Sequence, residues 1–279
     1  MPELLQIEEP RVVSAPPPQW RAFLALGFRP VYLAGCLWAV VSVALWVGAP
    51  QWPMGPMAGV VWHAHEMLWG FIATIAVGFL LTAGANWTGI NPLQGRALGA
   101  LTGLWLVARI GYLWPSPLGF QVAAASELIF FAWAGLAPAR SDGKARSQRN
   151  YGVPVLALGL GAADALYLVA VRQGDYGLVL QRFHAGMLCM AVIALLIARR
   201  VVPFFAMRAV PGLDIPMHTR SGQWQIGAGV LAIASVLLGW QWTAGAALAA
   251  AGCLALWQLL AWRPLAVRRA PLLWILYAG

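Results

Sequence analysis

Long apolar runs recur along this chain, and they restrict its fold more than any other feature of the sequence. The runs cover residues 29–48, 63–84, 96–114, 118–138, 152–171, 178–198, 223–240 and 243–262. A run of about 20 apolar residues can cross the hydrocarbon core of a bilayer as an α-helix, because a helix satisfies its own backbone hydrogen bonds. The sequence therefore predicts an all-α, polytopic transmembrane helical bundle of about eight spans.

Composition agrees with a membrane protein. Hydrophobic residues make up 61% of the 279 residues and charged residues only 10%, far from the usual balance of soluble proteins. Residues 27–279 are predicted to form one transmembrane domain, since no connection is long enough to separate soluble domains. Residues 1–26, acidic and then proline-rich, are predicted to be a disordered cytoplasmic tail. A partial ninth apolar run, from Ala270, is too short to cross the bilayer.

The distribution of basic residues orients the chain. A cytoplasmic N-terminus leaves all but three of the 18 basic residues on the inside, the exceptions being Arg109, Arg172 and Arg182. This asymmetry follows the positive-inside rule for membrane proteins. It also accounts for the net charge of +9, so we expect no nucleic acid as a partner and the lipid bilayer as the surroundings.

Two of the runs begin with ionisable side chains on the outer side of the membrane. The stretch WHAHEM places His63, His65 and Glu66 in the first turn of the second run. In the sixth run His184 follows Arg182. At about 1.5 Å per residue, His184 lies one to two turns below the outer surface, a depth similar to that of the other two histidines.

Three more ionisable residues, Arg109, Glu127 and Asp164, lie within the third, fourth and fifth runs. Such groups cost several kcal/mol in a bilayer unless they are paired, hydrated or metal-bound, so each is a candidate site residue. Ion pairs between helices are the structural alternative. For Glu66 the alternative is a favourable position at the positive end of a helix dipole.

Helical spacing separates the two neighbouring histidines. Residues three and four apart share a helix face, which groups His63 with Glu66 and Met67 and leaves His65 on another face. The two histidines serve different partners if the helix has begun at His63, and they converge if the chain is still extended there. Because imidazole is the commonest protein metal ligand, the pattern predicts a metal site joining this segment to His184.

Several stretches together resemble one family of membrane proteins, the NnrS family. They are GFRPVYLAGCLWAV, WHAHEMLWGFIATIAVGFLLTAGANWTG, RNY, RFHAGM and ARRVVPFFAMRAV. The resemblance covers most of the chain from about residue 27. It implies a protein of the bacterial inner membrane that contains haem and copper and takes part in denitrification or the response to nitric oxide and nitrosative stress. The family has further C-terminal spans with another histidine motif, and we expect a second copy of this chain or another subunit to supply them.

The resemblance gives the candidate residues specific roles. His63 or His65, together with His184, would bind haem iron, copper, or one of each. Arg182 would pair with a haem propionate, since guanidinium binds carboxylates bidentately. Met67 would be a soft ligand for Cu(I), with simple packing as the alternative. The haem would be of the non-covalent b type because the chain has no CxxCH motif.

Two other functions stay open from the sequence alone. One is a proton-coupled transporter or channel for small molecules or metals, with His63, His65, Glu127, Asp164 and His184 along its path. The other is an assembly or sensing subunit that holds metal without turnover. Nitric oxide or another small molecule is the expected ligand of the metal protein, and whether the chain is an enzyme is left open.

Overall fold

The computed structural model describes residues 19–52, 55–146, 152–216 and 219–278, and this part of the chain is helical, without β-strands. Its α-helices are α1 (Trp20–Phe23), α2 (Phe28–Gly48), α3 (Gly59–Thr88), α4 (Gly95–Leu113), α5 (Pro117–Lys144), α6 (Gly152–Gln173), α7 (Tyr176–Ala209), α8 (Thr219–Leu237), α9 (Gln241–Ala261) and α10 (Pro271–Ala278). Helices α2 to α9 correspond to the eight predicted runs, so the all-α prediction is confirmed. The first 18 residues of the predicted tail lie outside the described residues.

Six of the described helices are long and apolar enough to cross a membrane: α2, α3, α5, α6, α7 and α9. The predicted count of eight spans and a partial ninth is therefore confirmed only as far as six. Two of the predicted runs are not counted among the six because of their composition. Helix α4 carries Arg96 and Arg109, and α8 begins with the polar residues Thr219, Arg220 and Ser221, so both are less apolar than the other six.

Local signals in the sequence explain where several helices begin and end. Ser116 caps α5 by accepting a hydrogen bond from the Gly119 amide, and Pro117 occupies the first helical position. Asp175 caps α7 in the same way, with the Leu178 amide as donor. Helix α3 ends at Thr88 and is followed by Gly89, whose φ of 72° is the left-handed conformation that glycine adopts at low cost.

Helix α3 is the central element of the bundle. In its most apolar stretch 67% of the residues are buried, against 17% for α2. It packs against α2 and α5, and two indole N–H groups tie it to further helices. Trp105 of α4 donates to the Gly70 carbonyl of α3 at 3.2 Å, and Trp69 of α3 donates to the Leu160 carbonyl of α6 at 3.2 Å. Four neighbouring helices can therefore bring side chains to α3.

The middle of α3 is not a regular α-helix. Residues Glu66–Ala73 form a π-helix between the α-helical segments Gly59–His65 and Thr74–Thr88. Side chains from outside the π-helical segment donate hydrogen bonds to its carbonyl groups. The hydroxyl of Thr74, the next residue of α3, donates to the Trp69 carbonyl at 2.9 Å, and the Trp105 indole of α4 donates to the Gly70 carbonyl. π-Helical turns are rare and frequently occur at functional sites. This one begins at the residue that follows His65.

Candidate metal centre

His65 lies at the centre of a group of buried carboxylates. Its side chain is 0% exposed. Nδ1 lies 3.1 Å from Oε1 of Glu66, its neighbour on α3. Nε2 lies 3.1 Å from Oδ1 of Asp164 on α6 and 3.3 Å from Oε2 of Glu127 on α5. Both ring nitrogens therefore face carboxylate oxygens, and three helices supply the contacts.

One buried arginine holds two of these carboxylates. The Arg109 side chain on α4 is 0% exposed, and Nη1 donates to Oε2 of Glu66 at 2.5 Å. Its Nη2 donates to Oε1 of Glu127. The indole N–H of Trp38 on α2 also donates to Oε2 of Glu66, at 2.5 Å. These charge-assisted hydrogen bonds fix the orientation of both glutamates, because each leaves the other oxygen directed to a second partner.

The absence of a side chain at Gly70 leaves room for the Arg109–Glu66 ion pair. A Cβ atom at this position would lie 2.5 Å from Nη1 of Arg109 and 2.6 Å from Oε2 of Glu66. Any larger residue would therefore push the ion pair apart. The π-helical segment thus contributes both a side chain, Glu66, and a gap in its own surface where Arg109 lies.

Three aromatic rings pack around the His65 imidazole. The ring centroids of Trp69, Tyr112 and Tyr167 lie 5.3, 5.0 and 5.6 Å from its own. All three are buried, and the Tyr167 hydroxyl is held by the Val61 carbonyl at 2.7 Å. The rings separate the charged groups from solvent and lipid, which strengthens electrostatic interactions within the cluster.

The charges of the cluster do not balance by themselves. Three carboxylates and one guanidinium leave a net charge of −2 while His65 is neutral, and isolated buried charge is strongly unfavourable. A neutral imidazole donates through only one nitrogen. If Nδ1 donates to Glu66, the Nε2 lone pair faces oxygens of Asp164 and Glu127. That arrangement is favourable with a positive charge between them, either a proton, held by Nε2 or by one of the carboxylates, or a metal ion.

The geometry suits a metal ion. One ligand atom each from His65, Glu127 and Asp164 lie within 4.8 Å of one another, and the three residues are buried. Separations of 3.1 and 3.3 Å from Nε2 to the oxygens fit a shared ion with bonds of about 2.0–2.2 Å. Glu66 then stands behind the histidine as the outer carboxylate partner that fixes the ring of a metal-ligating histidine. A divalent ion would bring the net charge of the cluster to zero.

The structure separates the other predicted site residues from this cluster. His63 is half-buried and stacks on Trp46 of α2, with ring centroids 3.8 Å apart and planes inclined by 7°. Met67 is half-buried as well. Glu66, which helical spacing groups with His63, contacts His65 instead. The interpretation that the two histidines have different partners agrees with these contacts. The grouping of Glu66 with His63 is corrected, because the Glu66 carboxylate turns to the imidazole of its chain neighbour, His65.

His184 lies in different surroundings from His65. It is exposed on α7 and lines a cavity of about 770 Å³ between α7, α8 and α9, together with Gln181 and Ser235. Arg182 is half-buried and donates to the Leu237 carbonyl at 3.4 Å. Among the described residues, the group whose ligand atoms converge contains His65 and not His184. The structure thus places the two histidines in separate sites.

Several residues of the cluster give no signal in the sequence. Trp38, Gly70, Tyr112 and Tyr167 look like ordinary residues of apolar runs. The charged members are visible because ionisable residues stand out in such runs. The sequence does not show that these charged residues converge, since His65 and Asp164, for example, are 99 residues apart in the chain.

The donor set discriminates between the two cofactors that the resemblance implies. One imidazole and two carboxylates suit a divalent ion such as Cu²⁺, whereas Cu⁺ prefers thiolate and thioether ligands. A haem does not fit at His65, because carboxylate oxygens lie next to both nitrogens of the buried imidazole and three aromatic rings pack against it. The cavity at His184 has a volume within the usual range of about 300–1,000 Å³ for ligand pockets and offers an accessible imidazole.

Comparison with known proteins agrees with the motifs. The family described as NnrS protein matches residues 22–279. No curated protein and no solved structure matches the chain. Because the family match covers nearly the whole chain, the protein, with its helices that are long and apolar enough to cross a membrane, belongs to the NnrS family.

Proposed function

We propose that this protein is an integral membrane metalloprotein of the response to nitric oxide or nitrosative stress, with a metal centre at His65, Glu127 and Asp164. The observation that carries the proposal is the convergence of three ligand atoms from three helices within 4.8 Å in a fully buried cluster. A net negative charge at that position favours a bound cation. The family supports a role in nitric-oxide chemistry.

The residues of the centre have different roles. His65 Nε2 and one oxygen each of Glu127 and Asp164 hold the ion. Glu66 accepts the Nδ1–H hydrogen bond and thereby keeps the Nε2 lone pair available. Arg109 holds the two glutamates apart and offsets one of the three negative charges. A divalent transition metal bound there supplies Lewis acidity and a binding position for a small ligand.

We assign the two cofactors to the two histidine sites. Cu²⁺ is compatible with the imidazole and carboxylates around His65. Haem b is compatible with the cavity at His184, where the imidazole would be a ligand of the iron. Arg182, the predicted partner of a propionate, is not among the residues that line this cavity. Met67 and His63 stay outside both sites. The protein would lie in the bacterial inner membrane with both sites in the outer half of the bilayer.

The experiment is metal analysis of detergent-purified protein expressed with haem and copper supplied. We expect about one divalent metal ion per chain, lost in Asp164→Asn and in His65→Asn. Asp164→Asn is the more informative of the two variants, because it separates loss of metal from loss of stability. It removes a ligand charge but relieves repulsion among buried carboxylates, so the metal-free protein should not lose stability.

The matched control is His184→Asn. It should keep the metal of the buried centre and lose the haem absorption band. Wild-type protein that contains neither metal nor haem after such expression contradicts the proposal. Retention of full metal content in both Asp164→Asn and His65→Asn contradicts the assignment of the centre.

Proton transfer is the second candidate function. In the part of the chain that the structure describes, Asp164 Oδ2 is buried and accepts no hydrogen bond. A carboxylate in that state holds a proton readily, as in proton-coupled transporters. Proton-coupled uptake into liposomes by a metal-free preparation favours this function, and metal binding without uptake or turnover favours a holding or sensing subunit.

A further inference from the structure

The chain turns after α9, and the residue at the turn is an arginine. Arg263 has a φ of 53°, the left-handed conformation, which costs free energy for a residue with a bulky side chain. Three other helices, α3, α6 and α8, are followed by a glycine in this conformation, at Gly89, Gly174 and Gly239. Glycine would serve the backbone better than arginine after α9 as well, so the side chain of Arg263 needs its own explanation.

The segment that follows this turn is packed against α7. Val267 and Leu273 are buried in one apolar cluster with Val202 and Ala206 of α7. The indole N–H of Trp274 donates to the Val267 carbonyl at 3.2 Å. The segment therefore has a fixed position on the bundle, and the side chains along it are held near one another.

The outer surface of this segment carries three arginines and exposed apolar side chains. Arg263, Arg268 and Arg269 are exposed, and within the described part of the chain none of them forms a salt bridge with a carboxylate. In the same segment Leu265 is 82% exposed and Ile275 is 71% exposed. The positive-inside rule predicts the cytoplasmic surface for this segment. Cations beside apolar side chains suit the boundary between anionic headgroups and acyl chains.

Two general effects explain part of the charge but not its position. A cation near the C-terminus of a helix interacts favourably with the helix dipole, and the predicted topology needs basic residues somewhere in this connection. Neither effect requires an arginine at the one position where glycine costs least, with Arg268 and Arg269 a few residues away. Phosphate groups supply a reason, because guanidinium binds phosphate bidentately.

We infer that Arg263, Arg268 and Arg269 form a binding site for the headgroups of anionic phospholipids at the cytoplasmic face of the membrane. The occupant is a lipid rather than free phosphate, because exposed Leu265 and Ile275 offer apolar surface for acyl chains. The charges are complementary, since the site is cationic and each headgroup carries a phosphate. This site uses none of the residues of the proposed metal and haem sites, so the inference does not depend on the proposed function.

The test measures the melting temperature of the whole chain in neutral detergent with either phosphatidylglycerol or phosphatidylcholine added. Phosphatidylglycerol should raise the melting temperature more than phosphatidylcholine does, and high salt should reduce this difference. In the double variant Arg268→Gln/Arg269→Gln the difference should fall by about 2–4 °C for each arginine. Native mass spectrometry of the same samples counts the bound lipids, which should fall in parallel.

Arg263→Gly separates lipid binding from a role in ending the helix. Without anionic lipid this variant should melt at or above the wild-type temperature, because glycine adopts the left-handed conformation at low cost. With phosphatidylglycerol it should gain less than the wild type. A melting temperature that falls equally in both lipids overturns the inference, since the arginine would then stabilise only the end of α9.

The matched control is Arg172→Gln, an exposed arginine near the end of α6 on the predicted outer side. It should keep the full effect of phosphatidylglycerol. The inference is overturned if this control loses as much of the effect as the double variant, or if the wild type responds equally to the two lipids. It is also overturned if inorganic phosphate alone reproduces the full stabilisation, because the ligand would then be a free anion.

Discussion

The two histidine sites of this protein differ in almost every physical respect. His65 is 0% exposed and contacts three carboxylates on α3, α5 and α6. His184 is exposed on α7 and lines an open cavity. Both lie near the outer ends of apolar helices in the predicted topology. Depth in the membrane is therefore a poor guide to what an intramembrane histidine does, and the packing of neighbouring helices decides it.

Different surroundings imply different uses of the same side chain. Around His65 the two glutamates are held by Arg109, and a bound ion would complete the balance of charge. Around His184 the open cavity is lined by small and apolar residues together with the polar residues Asp175, Gln181, Ser235 and Gln241, so there is room for a large ligand. Substitutions that are matched between the two regions test this contrast.

The largest difference is expected between two arginines. Arg109→Leu leaves Glu66 and Glu127 buried without their cation, so we expect a loss of about 3–5 kcal/mol in the free energy of unfolding and a poor yield of folded protein. Arg182→Leu removes a half-buried side chain with one long hydrogen bond to a carbonyl and should cost little. Thermal unfolding in detergent measures both. Equal losses would show that the buried ion pair is not the stronger structural element.

A smaller difference is expected between two tryptophans of α2. Trp38→Phe removes the indole donor to a charged Glu66 oxygen, a kind of hydrogen bond worth about 1.5–3 kcal/mol. Trp46→Phe keeps an aromatic ring for stacking on His63 and should change stability by less than about 1 kcal/mol. Chemical or thermal unfolding of the two variants gives the comparison. A Trp38→Phe protein as stable as Trp46→Phe would contradict the importance of this hydrogen bond.

The smallest difference is expected between two glycines. Gly70→Ala forces a methyl group against Arg109 and Glu66 and should cost about 1–3 kcal/mol, the usual range for overpacking. Gly245→Ala lies at the His184 cavity, and no described atom lies within 4 Å of its new Cβ. That change should be neutral or slightly stabilising, since alanine favours a helix. Melting temperatures of both variants, and metal content of the first, check this prediction.

Much of the helical architecture is predictable from the sequence because an apolar run of membrane length has few other stable structures. The charged members of the site are predictable one by one for a related reason, as residues that an apolar run does not tolerate without partners. Their grouping is not predictable. Sequence gives depth along a helix, whereas contact also depends on rotation about the helix axis and on the rotamers of the side chains. Glu66 contacts His65, its neighbour in the chain, rather than His63.

The distribution of the cluster over four helices has a consequence for biogenesis. Glu66, Arg109, Glu127 and Asp164 each lie on a different helix, α3 to α6 in order. A carboxylate or guanidinium at the centre of an isolated helix opposes its release into lipid by about 2.5–3.5 kcal/mol at the translocon. Glu66 of α3 gains its guanidinium partner when α4 arrives, and Glu127 of α5 and Asp164 of α6 then join partners on α4 and α3. Nascent α3 to α6 should therefore leave the translocon as a group, with Asp164 as the last residue needed to complete the assembly.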